Sequence, residues 1–174
     1  MALSREQVVV GAYSVLQEQG LGGLSMRRVA QHLGVQPGAL YYHVASKQEL
    51  LAEIASRILA DPPTTDPRQA ARDLRAALLR ARDGAEVVSF VHAFRPDALA
   101  ALQTLPALFT DLPPREAGWA ARALVHYVLG FVAEEQNRAE LVRLGVLPDD
   151  APDADEAFEF GIGAITAGSY LDPR

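Results

Sequence analysis

SMRRVAQHLGVQPGALYYHVASK, residues 25–47, reads as two short helices joined by a tight turn. Ser25 is placed to cap the first, and Val29, Ala30 and Leu33 then recur at three- and four-residue steps on one face. Gly34 stands where the chain must turn sharply and a positive φ costs least. Pro37 brings a fixed φ suited to the first turn of a second helix, running roughly from Gln36 to His43. Ala30 is small where two crossing helices crowd, while Val35 and Leu40 can fill the angle between them. A helix-turn-helix of this kind sets its second helix in the DNA major groove with the N-terminal residues near base edges. Here those residues are Gln36, Pro37, Gly38 and Ala39. Two short helices around a glycine also occur in proteins that never touch nucleic acid, so the flanking residues have to decide.

Arg27 and Arg28 fall in the first turn of the leading helix, where the helix dipole disfavours cations and a phosphate would explain them. Tyr41, Tyr42 and His43 end the second helix with three hydrogen-bonding rings. Ser46 to Glu49 has the pattern of a capping box that starts another helix beside them, and Lys47 within it is the only lysine in the chain. The net charge of −6 argues at first against a nucleic-acid partner. Its distribution softens that objection. Residues 1–60 set Arg5, Arg27, Arg28, Lys47 and Arg57 against Glu6, Glu18, Glu49 and Glu53, so the acidity belongs to the remainder of the chain.

The run LGVQPGALYYHVASKQELL, Leu33 to Leu51, resembles the DNA-binding domain of the tetracycline-repressor family. Gly34, Leu40, Tyr41, His43, Lys47 and the Leu50-Leu51 pair match that pattern without a gap. The resemblance implies an all-α fold: a three-helix head over 1–46 carrying the helix-turn-helix, a connecting helix over 47–61, and a ligand-binding and dimerisation body over 62–174. It also implies that Ser25, Arg27, Arg28, Gln36, Pro37, Gly38, Ala39 and Tyr41 lie at bases or nearby backbone, with Tyr42, His43 and Lys47 on phosphates. The chemistry agrees, since Arg and Gln suit guanine and adenine edges and the Ala39 methyl suits a thymine methyl. Pro37 departs from relatives that carry a base-reading side chain there.

The remaining chain is read in order. Ser4 with Gln7 caps a first helix to about Gln19, stopped at Gly20, with Val8, Val9, Ala12, Val15 and Leu16 facing inward. The helix after Ser46 carries Leu50, Leu51, Ile54, Ala55 and Ile58 to about Ala60. Prolines at 62, 63 and 67 break the chain in DPPTTDP, and Asp66 caps a helix through Leu74, Leu78 and Leu79. Further helices are predicted over Glu86 to Phe94, over Pro96 to Leu112, over a long stretch from Pro113 or Pro114 to Leu144, and from about Glu156 to Leu171. No alternating strand pattern of useful length appears, so the fold is expected to be nearly all helical. The absence of cysteine fits a reducing interior. MALSREQVVV lacks the form of a signal peptide, and the longest apolar run is broken by Arg122 and His126. A cytoplasmic protein with no membrane association is expected.

The long helix and the last one are apolar on more than one face, and a body this small offers them too few neighbours. HYVLGFVAEEQ (126–136) and AFEFGIGAITAG (157–168) resemble the paired dimerisation helices of the tetracycline-repressor branch. The resemblance implies a homodimer with Leu124, Val128, Phe131, Phe158, Gly161, Ile162 and Ile165 at its interface. Such a dimer would bind a double-stranded palindromic operator and be released by a small-molecule effector. A pocket for that effector is expected from Leu74, Leu78, Phe90, His92, Phe94, Arg95, Leu105, Phe109, Trp119 and Tyr127, though simple core packing is the competing role for most. Tetracycline with magnesium is not expected. Ala70 and Val88 replace an amide and a metal-binding histidine of that branch, and the Pro-Pro-Thr run replaces another histidine, although Arg95 is retained and Glu134 stands where it can approach a metal through water. No cofactor is expected, and no protein metal site.

Two other classes compete. His92, His126 and the Glu134-Glu135 pair are the conspicuous acid-base groups of an enzyme reading, but they form no known nucleophile or metal spacing, and no phosphate loop accompanies them. A helical module whose head binds protein is the other alternative.

Overall fold

The computed structural model describes residues 3–60, 66–150 and 153–167, and among them the chain is helical with no strand. They group into two compact units: residues 1–60 with 77–100, and 61–76 with 101–174. Residues 84–94, expected in the body, group with residues 1–60 in this division.

In the first unit, α1 (Arg5–Gly23) opens on the expected capping box, with Gln7 N donating to Ser4 Oγ at 3.2 Å and Ser4 N to Gln7 Oε1 at 2.9 Å. Val8, Ala12, Val15 and Leu16 are fully buried. Regular helix stops at Gly20, whose φ of +70° is open to glycine at little cost, and residues 21–23 add one more turn. The loop at 80–83 seats on this end. Leu21 N donates to Asp83 Oδ2 at 2.6 Å, Gln17 takes Arg82 N at 2.7 Å and donates to Arg80 O at 2.9 Å, and Arg82 Nη1 donates to Glu18 O at 2.8 Å. Then come α2 (Met26–His32), α3 (Pro37–Leu40) and α4 (Lys47–Ile58). α1 packs on α2 and α4, α2 on α3, and α4 on α6 (Gly84–Phe94). The last begins two residues before expectation, behind Asp83 at a φ of +54°.

In the chain order, α5 (Pro67–Leu79) runs from the second unit into the first. Asp66 Oδ1 accepts from Arg68 N at 2.9 Å, as its capping position required. The single helix expected from Pro96 to Leu112 is not formed. A 3₁₀ turn (Pro96–Ala98), the short α7 (Ala100–Gln103) and a second 3₁₀ turn (Leu105–Leu108) replace it. Leu periodicity promised a helix, but Pro106 has no N–H to offer the Leu102 carbonyl and its ring clashes there.

The second unit is built on α8 (Pro114–Arg143), which closes at Gly145 with a φ of +71° and a Val146 N–H donated to Leu141 O at 2.9 Å. α9 (Ala154–Thr166) packs against it. The expected continuation of α9 to 171 lies outside the described residues from 168 onward. Among the described residues no helix is long and apolar enough to cross a membrane.

Candidate nucleic-acid interface

The turn between α2 and α3 is set by backbone hydrogen bonds. Ser25 Oγ accepts from Arg28 N at 3.3 Å, so the leading helix is capped as expected. Its far end closes on Gly34, with a φ of +67°. Gly34 N donates to Gln31 O at 3.2 Å and Val35 N to Ala30 O at 3.0 Å, the paired bonds of a Schellman ending. The chain thereby reverses in two residues and delivers Gln36 to the N-cap of α3, with Pro37 at its first position.

α3 is shorter than predicted. Four residues are helical, and Tyr41 to His43 continue as turns held by His43 N and Val44 N on Leu40 O. A helix of one turn has no stability of its own. Leu40 and Val44, both fully buried, hold it, and burying each contributes about 1.5–3 kcal/mol.

The outward side of this frame carries most of the predicted contact residues. Arg27, Gln36, Pro37, Gly38, Tyr41, Tyr42 and Lys47 are exposed, Tyr42 at 89%. Ser25, Ala39 and His43 are half-buried. A methyl group added to Gly38 would meet nothing within 4 Å, so a flat surface can approach α3 closely. Gln36 occupies a cap position but makes no capping hydrogen bond with its side chain, which leaves the amide uncommitted to its own helix. Arg28 is exposed as well, and it also has a partner inside the head. Its Nη1 donates to Gly23 O at 2.8 Å, strapping α2 to the end of α1.

Arg5 is the residue that sequence reasoning missed. Its Nη1 donates to His43 O at 3.0 Å, and its Nη2 meets Glu49 Oε1 and Glu53 Oε1, each at 2.6 Å. One guanidinium thus ties α1, the turn after α3 and α4 together. Glu49 and Glu53 stand one helical turn apart, a pair that wants a cation; that was the available signal. Glu49 also corrects the expected capping box. Ser46 Oγ accepts from Glu49 N at 3.1 Å as predicted, but Glu49 Oε2 accepts from Ala45 N at 2.7 Å rather than from the cap residue. That backbone donor, and then Arg5, hold the Glu49 carboxyl below its ordinary pKa.

The expected pocket residues fall in both units. Leu78, Phe90, His92, Phe94 and Arg95 belong to the first, and Leu74, Leu105, Phe109, Trp119 and Tyr127 to the second. Leu74, Leu78, Leu105 and Phe109 are buried core, Phe90 and Phe94 pair at 4.9 Å with their outer faces exposed, His92 is half-buried, and Arg95 is exposed. Trp119 is half-exposed beneath the Arg115 guanidinium, 4.6 Å from its ring. Tyr127 is committed elsewhere: its hydroxyl donates to Ala157 O and Phe158 O, and its ring packs 5.7 Å from both Phe131 and Phe158. It anchors α9 to α8 instead of lining a pocket.

Four of the expected interface residues are corrected as well. Leu124, Val128, Phe158 and Ile162 have at most 1% of their surface exposed within their own chain, so no area remains for a partner to cover. Gly161 is small for an internal reason, because a Cβ there would overlap the Tyr127 hydroxyl. Phe131 and Ile165 remain half-buried. The apolar surface that stays outside is a different stripe: Trp119, Ala123, Gly130 and Leu141 on α8, and Phe160, Ala164 and Ala167 at the end of α9, with Phe160 80% exposed.

Comparison with known proteins agrees with this arrangement. Residues 8–54 match the family described as "Bacterial regulatory proteins, tetR family", and residues 64–145 match "Tetracyclin repressor-like, C-terminal domain". The tetracycline repressor protein class D of Escherichia coli is 32% identical over 196 residues, covering 95% of this chain and 88% of that protein. Among solved structures, Mycobacterium smegmatis BioQ superposes with a TM-score of 0.85 at 34% identity, covering 95% of this chain and 97% of that one. A structure of BioQ with its natural double-stranded DNA operator gives a TM-score of 0.72 at 34% identity, with 93% and 99% covered. The similarity thus runs along nearly the whole chain, which belongs to the tetR family of bacterial regulatory proteins.

Proposed function

We propose that the protein is a repressor that binds a palindromic operator as a homodimer and is released by a small-molecule effector. The observation that carries this reading is the α2–α3 frame, in which the one-turn helix Pro37–Leu40 seats on its buried Leu40 and leaves its N-cap Gln36, with Pro37 and Gly38, exposed. Residues 1–46 act as the reading head, 47–61 as the connecting helix and 62–174 as the body, whose residues 77–100 group with 1–60 and pack through α6 on the connecting helix. Gln36 reads a base edge, the small Gly38 and Ala39 allow close approach, and Arg27, Tyr42 and Lys47 take phosphates. Arg28 serves the head by positioning α2 through Gly23. The BioQ–operator structure supports the DNA partner. Two heads one helical turn apart require a two-fold dimer. The apolar side chains left exposed on α8 and α9, Trp119 and Phe160 foremost, supply the surface.

A gel shift on the DNA upstream of the protein's own gene tests the reading. A salt-sensitive complex on a palindromic fragment is expected. Gln36→Ala should cost about 1–3 kcal/mol and relax preference at one base step, while Lys47→Ala should weaken all sequences alike and reduce the salt slope by about 1. Retention of full sequence preference in Gln36→Ala would remove the helix from its assigned groove.

The effector differs from tetracycline. Ala70 and Val88, where the tetracycline branch places polar groups, are buried and carry no polar side-chain atom, so neither offers a ketone or a metal a partner. Titration calorimetry with tetracycline and magnesium should give no heat of binding; a tight magnesium-dependent complex would overturn this.

A further inference from the structure

The second unit holds a cavity of about 600 Å³ between the C-terminal half of α8, the following loop and the start of α9. None of the residues expected to line the effector pocket borders it. Its apolar lining is half-buried Phe131, Val142 and Ala154, with Ala139 and Ala157 exposed at its edge. Its rim is acidic, with five carboxylates facing one guanidinium. Not all of that charge is available. Arg75 meets Glu135 in a two-pronged pair, and Arg138 is held by Asp150 through both its carboxylate, at 2.8 Å, and its carbonyl. Glu134, Asp149 and Asp153 remain, all exposed at the rim. The N-terminus of α9 offers a partial positive charge of roughly half a unit. Asp155 and Glu156 in its first turn already answer it.

A volume of this size suits a drug-sized molecule, an apolar floor favours an apolar body, and uncompensated carboxylates at the mouth favour a positive charge. A bare metal ion does not fit. Among the described residues no group of three or more acidic or histidine side chains comes close enough to hold one. We propose that this cavity binds an organic cation with an apolar body, the charge resting between Glu134, Asp149 and Asp153 and the body over Phe131 and Val142. As the site of the effector, it rests on the reading of the protein as a regulator.

Tetraphenylphosphonium and tetraphenylborate, nearly the same shape with opposite charge, separate charge recognition from general stickiness. Calorimetry on the intact protein should show saturable binding of the phosphonium and at least about tenfold weaker binding of the borate. Asp149→Asn with Asp153→Asn, both exposed and hydrogen-bonding replacements of equal size, should weaken the phosphonium about tenfold, three screened charge contacts being reduced to one. Ala139→Phe, at the exposed edge of the apolar lining, should crowd the cavity and abolish binding, with an unchanged melting temperature certifying the fold. Equal binding of the two ions, no binding of either, or phosphonium binding indifferent to these substitutions overturns the proposal. Operator binding without added ions is measured in parallel: its loss would refute the regulator reading, and its persistence without phosphonium binding would refute only the cavity.

Discussion

Arg5 shows how much one side chain can organise without being buried. Its pairs with Glu49 and Glu53 are exposed enough for water to screen each to about 0.2–1 kcal/mol, and the bond to His43 O adds a similar amount. Arg5→Ala should therefore destabilise the 174-residue protein by about 1–2 kcal/mol and lower its melting temperature by about 2–8 °C in a calorimetric scan. The same cluster predicts a response to acid. The Ala45 N–H, and after it Arg5, lower the Glu49 pKa below its ordinary 4.5, so the stability it contributes is complete above that value and disappears as pH falls through the lowered one. Urea midpoints measured from pH 6 downward should decline in the native protein, and Glu49→Gln should flatten part of that decline while lowering the plateau.

Helix α9 is held by fit rather than by helix propensity. Tyr127 stacks on Phe158, reaches two carbonyls of α9 and occupies the place a side chain at 161 would need. Arg75 closes the same cluster from α5, 4.7 Å from the Phe158 ring and paired with Glu135, which raises its already high pKa further. Gly161→Ala should cost about 1–3 kcal/mol by overpacking. Combined with Tyr127→Ala the two effects should be strongly non-additive, because the second change removes the ring that the first collides with. Additive losses in chemical denaturation would place the constraint elsewhere. From the chain alone Gly161 was legible as a small residue in an apolar helix, but its neighbour was not, since Tyr127 is 34 positions distant.

Across the molecule, α8 and α9 leave an apolar stripe uncovered among the described residues. Phe160 is its most exposed large apolar side chain on α9, and Trp119 its counterpart on α8. Phe160→Glu should shift sedimentation from dimer to monomer and, because two half-sites are read together, should reduce operator affinity far more than a loss confined to one surface residue. A protein that remained dimeric would move the interface away from this stripe. The interface first expected, built on Leu124, Val128, Phe158 and Ile162, failed because periodicity identifies an apolar face without saying whether the covering surface comes from the same chain or another.

Local grammar was sufficient for the helices and their ends. Ser4, Ser25, Ser46 and Asp66 cap as read, Gly20, Gly34 and Gly145 stop helices where a positive φ is needed, and the helix-turn-helix follows from residues within 25 positions of one another. Each of these depends on hydrogen bonds and steric limits between near neighbours, which spacing records directly. Packing decided the rest. The attachment of 80–83 to the end of α1, the clamp of Arg5, the strap of Arg28 on Gly23 and the inward turn of Leu124 and Phe158 all depend on which surfaces meet in space. A side chain's type sets what contacts it can satisfy, whereas the partner that satisfies them is chosen only when distant segments are brought together.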